Sequence, residues 1–363
     1  MKRILLSGYY GFGNTGDEAI LASTVKALRQ ARPDLEIMVL SEHPDETGST
    51  YGVRGFHRMS PTQVLKAIHL ADLVVFGGGS LLQDITSLRS LIYYLSIIRL
   101  SRLSGKPVVV YANGIGPIRS KLGRFLTKHT LSRVKAITVR DAESETELRR
   151  LGVPLPVQVT ADPAFLLDPS PDHMADSILK EHGIGSSKGI VWIALRRMNT
   201  PPWFLNQIQD LIGWLRQEHR EPSFLAMQER DLAVAQVLNR ELVSAGQKPM
   251  PTVSGISPED ALSILGKGDY CLGMRLHTLI LSARVGVPFM GVEIDPKIGA
   301  FCRSTGCPAM PGPDPQEPNF SIVDEFKAFM QDGDKLRQAL QEHLPRFRSL
   351  ARQNIDMVLS YLR

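Results

Sequence analysis

The second half of the sequence places three cations and one histidine just beyond short apolar runs. Arg196, Arg275, His277 and Lys297 each lie within a few residues of the end of such a run. If the runs are parallel strands, their carboxyl ends share one edge of a sheet, and these side chains face one pocket. Arginine and lysine hold phosphate and carboxylate groups, and histidine transfers protons near neutral pH. The pattern predicts a site for a small phosphorylated carboxylate, with His277 as acid or base.

A glycine-rich turn near the amino terminus offers a second kind of site. Residues 11–16 read GFGNTG, follow a predicted strand and open a predicted helix, which is the spacing of a dinucleotide-binding turn. Asp17 and Glu18 occupy the first turn of that helix, where they would repel a diphosphate. We therefore expect Asn14, Gly16 and Asp17 to contact a sugar hydroxyl rather than a phosphate.

Two further glycine turns follow predicted strands of the first half. Residues 77–80 read GGGS and residues 113–117 read NGIGP. A sharp turn alone would explain either one, but ligands of open α/β sheets bind beyond the carboxyl ends of the strands. Three such turns on one edge favour a ligand-binding lip that includes Gly78 and Gly79.

Positive charge is concentrated in the window 85–140, which contains no aspartate or glutamate. A field of this sign attracts phosphates, acidic lipid or nucleic acid. We find no nucleic-acid-binding signature, so no nucleic-acid partner is expected. The segment 88–103 is apolar nearly all round, which favours a buried helix over a helix leaning on a membrane surface.

Other classes of protein are disfavoured by composition and motif. Three cysteines without a paired spacing argue against a disulfide framework or a cysteine-rich zinc site, and indicate a reducing cytoplasm. We find no zinc-protease motif and no GxSxG nucleophile turn, and expect neither a metal nor a cofactor. No apolar stretch approaches the length of a membrane span.

Strand-like and helix-like segments alternate along the chain, which predicts parallel sheets covered by helices on both faces. The expected fold is α/β, with two doubly wound, Rossmann-like parallel-sheet domains facing a cleft. A proline-containing segment at 168–173 reads as the linker. The predicted domains are 1–170, which carries the glycine turns and the basic window, and 171–335, which carries the cations and His277. Residues 336–363 form a helical tail.

The sequence resembles the polysaccharide pyruvyl transferase family, most of all its bacterial cell-wall members, in five segments that occur in the family's order. These read GYYGFGNTGDEAI at 8–20, GGGSLLQD at 77–84, VRD at 139–141, TADPAF at 160–165 and GMRLH at 273–277. The resemblance implies a fold like that of two-domain GT-B glycosyltransferases, and transfer of pyruvate from phosphoenolpyruvate (PEP) with release of phosphate.

The resemblance also implies an acceptor and a product. The acceptor is a lipid-linked disaccharide precursor, in which N-acetylmannosamine receives a 4,6-linked ketal, and the finished polymer anchors S-layer proteins. The protein is then cytoplasmic or peripheral at the inner face of the membrane, with the basic window toward the lipid diphosphate and the anionic leaflet.

Within this hypothesis each candidate residue has a role. The catalytic candidates are His277 and Arg140; the PEP-binding candidates are Arg275, Lys297 and Arg196; the acceptor-binding candidates are Asn14, Asp17, Gly16, Gly78 and Gly79. PEP serves as donor substrate and no other cofactor is expected. Two alternatives stay open: a GT-B glycosyltransferase that uses a nucleotide sugar, and a non-catalytic sugar-binding protein at the membrane.

Overall fold

The computed structural model describes residues 1–85, 87–185, 189–198, 201–313 and 320–362. The chain forms two compact units, each with its own core. The first unit contains Met1–Leu167 together with Arg346–Arg363, and the second contains Asp168–Pro345. Among the residues described, no helix has the length and apolar character needed to cross a membrane.

The first unit is a seven-stranded parallel sheet with helices between the strands. Its elements are β1 (Arg3–Tyr10), α1 (Thr15–Ala31), β2 (Glu36–Ser41), α2 (Pro44–Tyr51), β3 (Arg54–His57), α3 (Pro61–Leu70), β4 (Leu73–Gly77), α4 (Leu88–Leu103), β5 (Val108–Asn113), α5 (Lys121–Leu131), β6 (Ala136–Val139), α6 (Ala142–Leu151) and β7 (Val157–Val159). The strand order is β3-β2-β1-β4-β5-β6-β7.

Burial explains why these segments form central strands. Every residue of β4 and of β5 is buried, as expected for parallel strands covered on both faces. The chain runs outward from β1 to β3 and then returns to the other side of β1 with β4. That reversal of direction is the point where ligands bind in open α/β sheets.

The second unit repeats this topology with a six-stranded parallel sheet. Its elements are α7 (Asp172–Glu181), β8 (Ile190–Ala194), α8 (Pro202–Gln217), β9 (Glu221–Leu225), α9 (Leu232–Ser244), β10 (Thr252–Val253), α10 (Pro258–Leu265), β11 (Tyr270–Gly273), α11 (Leu276–Arg284), β12 (Phe289–Glu293), α12 (Pro296–Thr305), β13 (Ala309–Pro311) and α13 (Ile322–Gln331). The order is β10-β9-β8-β11-β12-β13, and the direction reverses between β8 and β11.

The last helix, α14 (Gly333–Ser360), differs from the separate tail predicted for residues 336–363. Its second part belongs to the first unit, where the buried Asn354 amide oxygen accepts hydrogen bonds from the Thr138 and Thr160 hydroxyls at 2.7 and 2.8 Å. Ile355 and Val358 join the core of the same unit. Apolar burial and these polar contacts make this segment part of the domain.

Candidate active site

The predicted cations of the second unit do lie at the carboxyl edge of its sheet. Strands β8 and β11 are neighbours, with Ala194 opposite Gly273. Arg196 and Arg275 follow that pair by two residues on their respective strands. Both side chains therefore lie at the reversal point of the sheet, where a ligand site is expected.

Arg275 is held by a carboxylate that the sequence analysis did not single out. Its Nε and Nη2 donate to the two carboxylate oxygens of Asp231 at 2.7 and 2.6 Å, and Nη2 also donates to Gln228 Oε1 at 3.0 Å. Asp231 is fully buried. Its carboxylate also accepts from the Arg197 amide at 3.4 Å, so it joins the ends of β8, β9 and β11. Two of the three guanidinium nitrogens of Arg275 are thus engaged, and Nη1 forms no hydrogen bond with a described residue.

The positive charge of Arg196 is not balanced in the same way as that of Arg275. Its side chain is half-buried and forms no ion pair with any carboxylate that the structure describes. Burial lowers the pKa of Arg196, and the neighbouring charges of Arg275 and Arg230 lower it further, although Asp231 and Asp295 raise it in part. This edge of the sheet therefore carries positive charge that an anionic ligand would neutralise.

His277 and Lys297 lie at the starts of two helices on the same edge. His277 is the second residue of α11, two residues after Arg275, and is half-buried. Lys297 lies in the first turn of α12 and is buried, and its amide donates to Asp295 Oδ1 at 2.9 Å. In the part of the chain that the structure describes, no cluster of three His, Cys, Asp or Glu side chains could hold a metal ion.

In the first unit, the predicted acceptor residues meet at the amino end of α1. Asn14 caps this helix, its Oδ1 accepting from the Gly16 amide at 3.4 Å, and its Nδ2 donates to Asp17 Oδ2. Asp17 is buried. The turn before the helix is held by Glu18, whose carboxylate accepts from the Gly11 amide at 2.8 Å and from the Tyr51 hydroxyl at 3.0 Å.

The second glycine turn packs directly on Asp17. A Cβ added to Gly79 would lie 2.5 Å from Asp17 Oδ1, and one added to Gly78 would lie 2.5 Å from Ile20 Cγ2. Both glycines also have positive φ, at +80° for Gly78 and +73° for Gly79. These close approaches bring together two motifs that are about sixty residues apart in sequence. Asn14, Asp17, Gly78 and Gly79 therefore form one cluster, in which Asp17 and the two glycines are buried and Asn14 is half-buried.

Arg140 is engaged within the first unit. Its Nη1 donates to Asp162 Oδ2 at 2.8 Å and its Nη2 to Ser80 Oγ at 2.7 Å, while Nε lies 3.7 Å from Asp141 Oδ2. Burial would lower the pKa of Arg140, but the two aspartates raise it above its ordinary value. The side chain is only 5 % exposed, so Arg140 ties the glycine turn to the ends of β6 and β7. Its catalytic role stays a prediction.

The sequence analysis missed three side chains that support these residues. Asp231 holds Arg275, while Asp162 and Ser80 hold Arg140. All three follow predicted strands, so the rule that drew attention to the cations also applies to them. Their partners are 44, 22 and 60 residues away in sequence, and only the fold pairs them.

The fold and the two clusters define a class of protein. Two Rossmann-like parallel-sheet units with ligand-type residues at both sheet reversals are the architecture of GT-B-type transferases. The chain is similar in structure to MnaA of S. aureus with UDP, with 16 % identity, a TM-score of 0.69, and 99 % of this chain and 96 % of the other covered. It is also similar to HepE of Anabaena with UDP-glucose, with 13 % identity, a TM-score of 0.66 and both chains covered completely. At these identities the likeness concerns the fold alone.

The sequence comparison identifies the family. A model of polysaccharide pyruvyl transferases matches residues 14–296. The amylovoran biosynthesis protein AmsJ of Erwinia amylovora is 22 % identical over 93 % of this chain and 94 % of its own length. The chain belongs to the polysaccharide pyruvyl transferase family, as the five segments predicted.

Proposed function

We propose that this chain transfers pyruvate from PEP, as a 4,6-linked ketal, onto a sugar of a lipid-linked cell-wall polysaccharide precursor, releasing phosphate. Family membership supplies the reaction class. The donor is supported mainly by one observation: at the sheet reversal of the second unit, the Arg196 charge has no ion-pair partner among the described residues. PEP carries a phosphate and a carboxylate on three carbons, so it matches closely spaced cations.

In this proposal, three cations of the second unit hold the donor in different ways. Asp231 fixes the guanidinium of Arg275 in one orientation and leaves its Nη1 for an anion. Arg196 supplies the less compensated charge, and Lys297 a point charge at the end of the neighbouring strand. A preorganised cation lowers the free energy of a transition state in which charge moves onto a departing phosphate.

The acceptor is assigned to the first unit. A hydroxyl-rich sugar needs hydrogen-bond acceptors and donors close together, and the cluster of Asn14, Asp17, Gly78 and Gly79 offers both. Asp17 also accepts from Asn14, which orients the carboxylate. We infer that this cluster binds the sugar hydroxyls, with N-acetylmannosamine as the sugar.

The chemistry requires one proton donor and one proton acceptor. A sugar hydroxyl gives up its proton to a base and adds to C2 of PEP, while C3 takes a proton and becomes a methyl group. The second hydroxyl then attacks C2, its proton leaves, and the bond from C2 to the phosphate oxygen breaks. We assign protonation of C3 to His277, the titratable group beside Arg275.

In this proposal, the lipid-linked acceptor determines where in the cell the enzyme acts. A product of this kind is that of the bacterial cell-wall enzyme CsaB, whose ketal-bearing polymer anchors S-layer proteins. The proposed lipid-linked precursor lies at the inner face of the cell membrane, so the enzyme would act from the cytoplasm. No cofactor besides the donor substrate enters the reaction.

The test combines donor binding with turnover. We expect calorimetry to detect PEP binding, and phosphate release from PEP to require a lipid-linked disaccharide from a panel of acceptors. Arg196→Gln should weaken PEP binding by about tenfold or more, because hydrogen bonds to charged groups contribute about 1.5–3 kcal/mol. The matched control is Arg240→Gln, an exposed arginine of α9.

The two alternatives predict different results in the same experiments. Binding of a UDP-sugar without binding of PEP would replace the proposal with a nucleotide-sugar glycosyltransferase. Binding of the disaccharide with no phosphate release under any donor condition would leave a sugar-binding protein.

A further inference from the structure

The helix expected to be buried, α4, is exposed along one side. It packs against α5, and the exposed side of this pair carries large apolar side chains. Leu103 is 82 % exposed and Phe125 is 65 % exposed. The exposed apolar side chains of the two helices, which we call the α4/α5 face, are Ile92, Leu100, Leu103, Leu122 and Phe125. A cluster of this kind is unusual on a protein surface that meets only water.

A groove runs along this face. It has a volume of about 240 Å³ and is lined on α4 by residues spaced three or four apart, together with Leu126 of α5. The α4 side chains are Ile92, Leu95, Ser96, Arg99, Leu100 and Leu103. From Ile92 to Leu103 a helix rises roughly 16 Å, so the apolar surface is elongated.

Cations surround the apolar side chains. The exposed or half-buried ones are Arg89, Arg99, Arg102, Lys121, Arg124, Lys128 and Arg133. No carboxylate occurs between Asp84 and Asp141, and none of these cations forms an ion pair with a described residue. Burial lowers the pKa of Arg102, and the nearby charges of Arg133 and Arg99 lower it further. Three guanidinium groups thus lie close together without a counter-charge.

We propose that the α4/α5 face docks on an anionic lipid bilayer, with Leu103 and Phe125 inserted among the lipids and the surrounding cations at the headgroups. Apolar side chains on one side of a helix, combined with lysine and arginine beside them, are the pattern of interfacial helices. Anionic headgroups supply the counter-charge that the protein lacks.

A second copy of the chain fits this face less well. A symmetric dimer through α4 and α5 would bring Arg99, Arg102 and Arg133 of one copy toward the same cations of the other. That arrangement adds repulsion to a cluster that is already uncompensated. A bilayer buries the same apolar side chains and neutralises the charge as well.

The insertion of individual side chains can be measured by fluorescence. In Phe125→Trp, we expect the added tryptophan emission to shift to the blue with vesicles of phosphatidylglycerol and phosphatidylcholine, after subtraction of the wild-type spectrum. The three native tryptophans lie in the second unit. The matched control, Leu65→Trp, places a tryptophan at an exposed apolar position of α3 and should not shift. Equal shifts in the two variants, or no shift in Phe125→Trp, would contradict the proposal.

The charge requirement is tested by sedimentation of the full-length protein with the same vesicles and with pure phosphatidylcholine. We expect the wild type to prefer anionic vesicles and to dissociate as salt rises. Arg99→Glu with Arg102→Glu should reduce anionic binding at least about tenfold, whereas Lys66→Glu on exposed α3 should not. Unchanged binding of the double variant would overturn the proposal. So would sedimentation velocity that shows a wild-type dimer which Phe125→Ser converts to a monomer.

This inference rests on the surface of the first unit and not on the proposed chemistry. If the variants lose vesicle binding but release phosphate normally with a water-soluble acceptor, docking and catalysis are separate properties. If vesicle binding holds and PEP is not used, only the proposed function fails.

Discussion

Arg196 and Arg275 show how residues of the same type, at neighbouring strand ends, acquire different properties. Arg275 is fixed by the buried carboxylate of Asp231, which sets its orientation and balances its charge. Arg196 receives no such partner among the described residues, and its pKa falls through burial and the charges of Arg275 and Arg230. A bound anion would reduce that repulsion. The uncompensated charge of Arg196 therefore makes the binding of an anionic substrate more favourable.

His277 carries the first prediction at the scale of single residues. In His277→Ala we expect phosphate release from PEP to fall by a factor of about 10²–10⁴, the usual contribution of a general acid or base. Thermal unfolding should change little, because the side chain is only half-buried. The measurement is phosphate release at saturating PEP and acceptor.

The control for this variant is His173→Ala, which removes an exposed histidine of α7 in the same unit. It should match the wild type in rate. A His277→Ala rate within about tenfold of the wild type, equivalent to about 1.4 kcal/mol of barrier, would remove this histidine from the chemistry.

At the scale of elements, the glycine turn after β4 depends on its contact with α1. Gly79→Ala introduces two penalties: a positive φ and a Cβ that would lie 2.5 Å from Asp17 Oδ1. We expect a loss of unfolding free energy of about 2–5 kcal/mol, from about 1–2 for the backbone and about 1–3 for the contact. The acceptor affinity should fall too, since the added methyl group displaces Asp17.

Gly105→Ala separates these two penalties. Gly105 belongs to the same unit and has nearly the same φ, +72°, but an added Cβ would meet no atom within 4 Å. It should therefore show the backbone penalty alone and keep full acceptor affinity. Equal destabilisation of the two variants in urea unfolding would show that the contact with Asp17 has no energetic weight.

The loop between β4 and α4 is tied to the start of α5 by Asp84, which predicts a pH dependence. Burial would raise the pKa of Asp84, but hydrogen bonds from the Arg119 amide and from Ser120 outweigh it and lower the pKa below the ordinary 3.8. Because the pKa of Asp84 is lower in the native state than in the unfolded chain, its ionised carboxylate stabilises the native state at pH values above the ordinary pKa. This stabilisation is lost as the pH falls through the native-state pKa.

Asp84→Asn tests this dependence directly. The variant should be less stable than the wild type at pH 7, and the difference in urea midpoint should disappear as the pH falls through the lowered native-state pKa of Asp84. Asp45→Asn serves as the control, because Asp45 is an exposed aspartate in the first turn of α2. A difference for Asp84→Asn that persists unchanged into acid would contradict the prediction.

At the scale of the whole molecule, the second part of α14 completes the first unit. In Asn354→Ala the Thr138 and Thr160 hydroxyls lose one of their two acceptors and the Ala161 carbonyl loses a donor. We expect a loss of about 2–4 kcal/mol, because an unsatisfied buried group contributes about 1–3 kcal/mol and the two hydroxyls keep the Val110 and Val139 carbonyls as acceptors. Amide hydrogen exchange should accelerate in β6 and β7, while β8 and β11 of the second unit keep their protection.

Gln353, the residue before Asn354, provides the control for this variant. Gln353 forms an exposed side-chain hydrogen bond to Gln158, so Gln353→Ala should alter stability by no more than about 0.5 kcal/mol. Faster exchange in β8 and β11 of Asn354→Ala would show that the second part of α14 stabilises the second unit instead.

Much of the architecture could be predicted because its signals are local. Buried runs such as those of β4, β5 and β8 have the composition of central parallel strands wherever they occur. The short strands β3, β10 and β13 were not among the predicted strands. Their few side chains give no clear pattern, and pairing with a neighbouring strand defines them.

The amino-acid sequence by itself determined the class of fold, the family and the strand ends at which ligand-type residues gather, because strand burial and glycine turns are encoded over a few consecutive residues. Only the tertiary structure decided which charges are paired. Asp231 with Arg275, Asp162 with Arg140 and Asn354 with Thr138 join residues far apart in the chain. It also decided that α4 keeps one side exposed. Compensation of charge and burial of a helix face depend on which elements pack together, and that information is distributed over the whole chain.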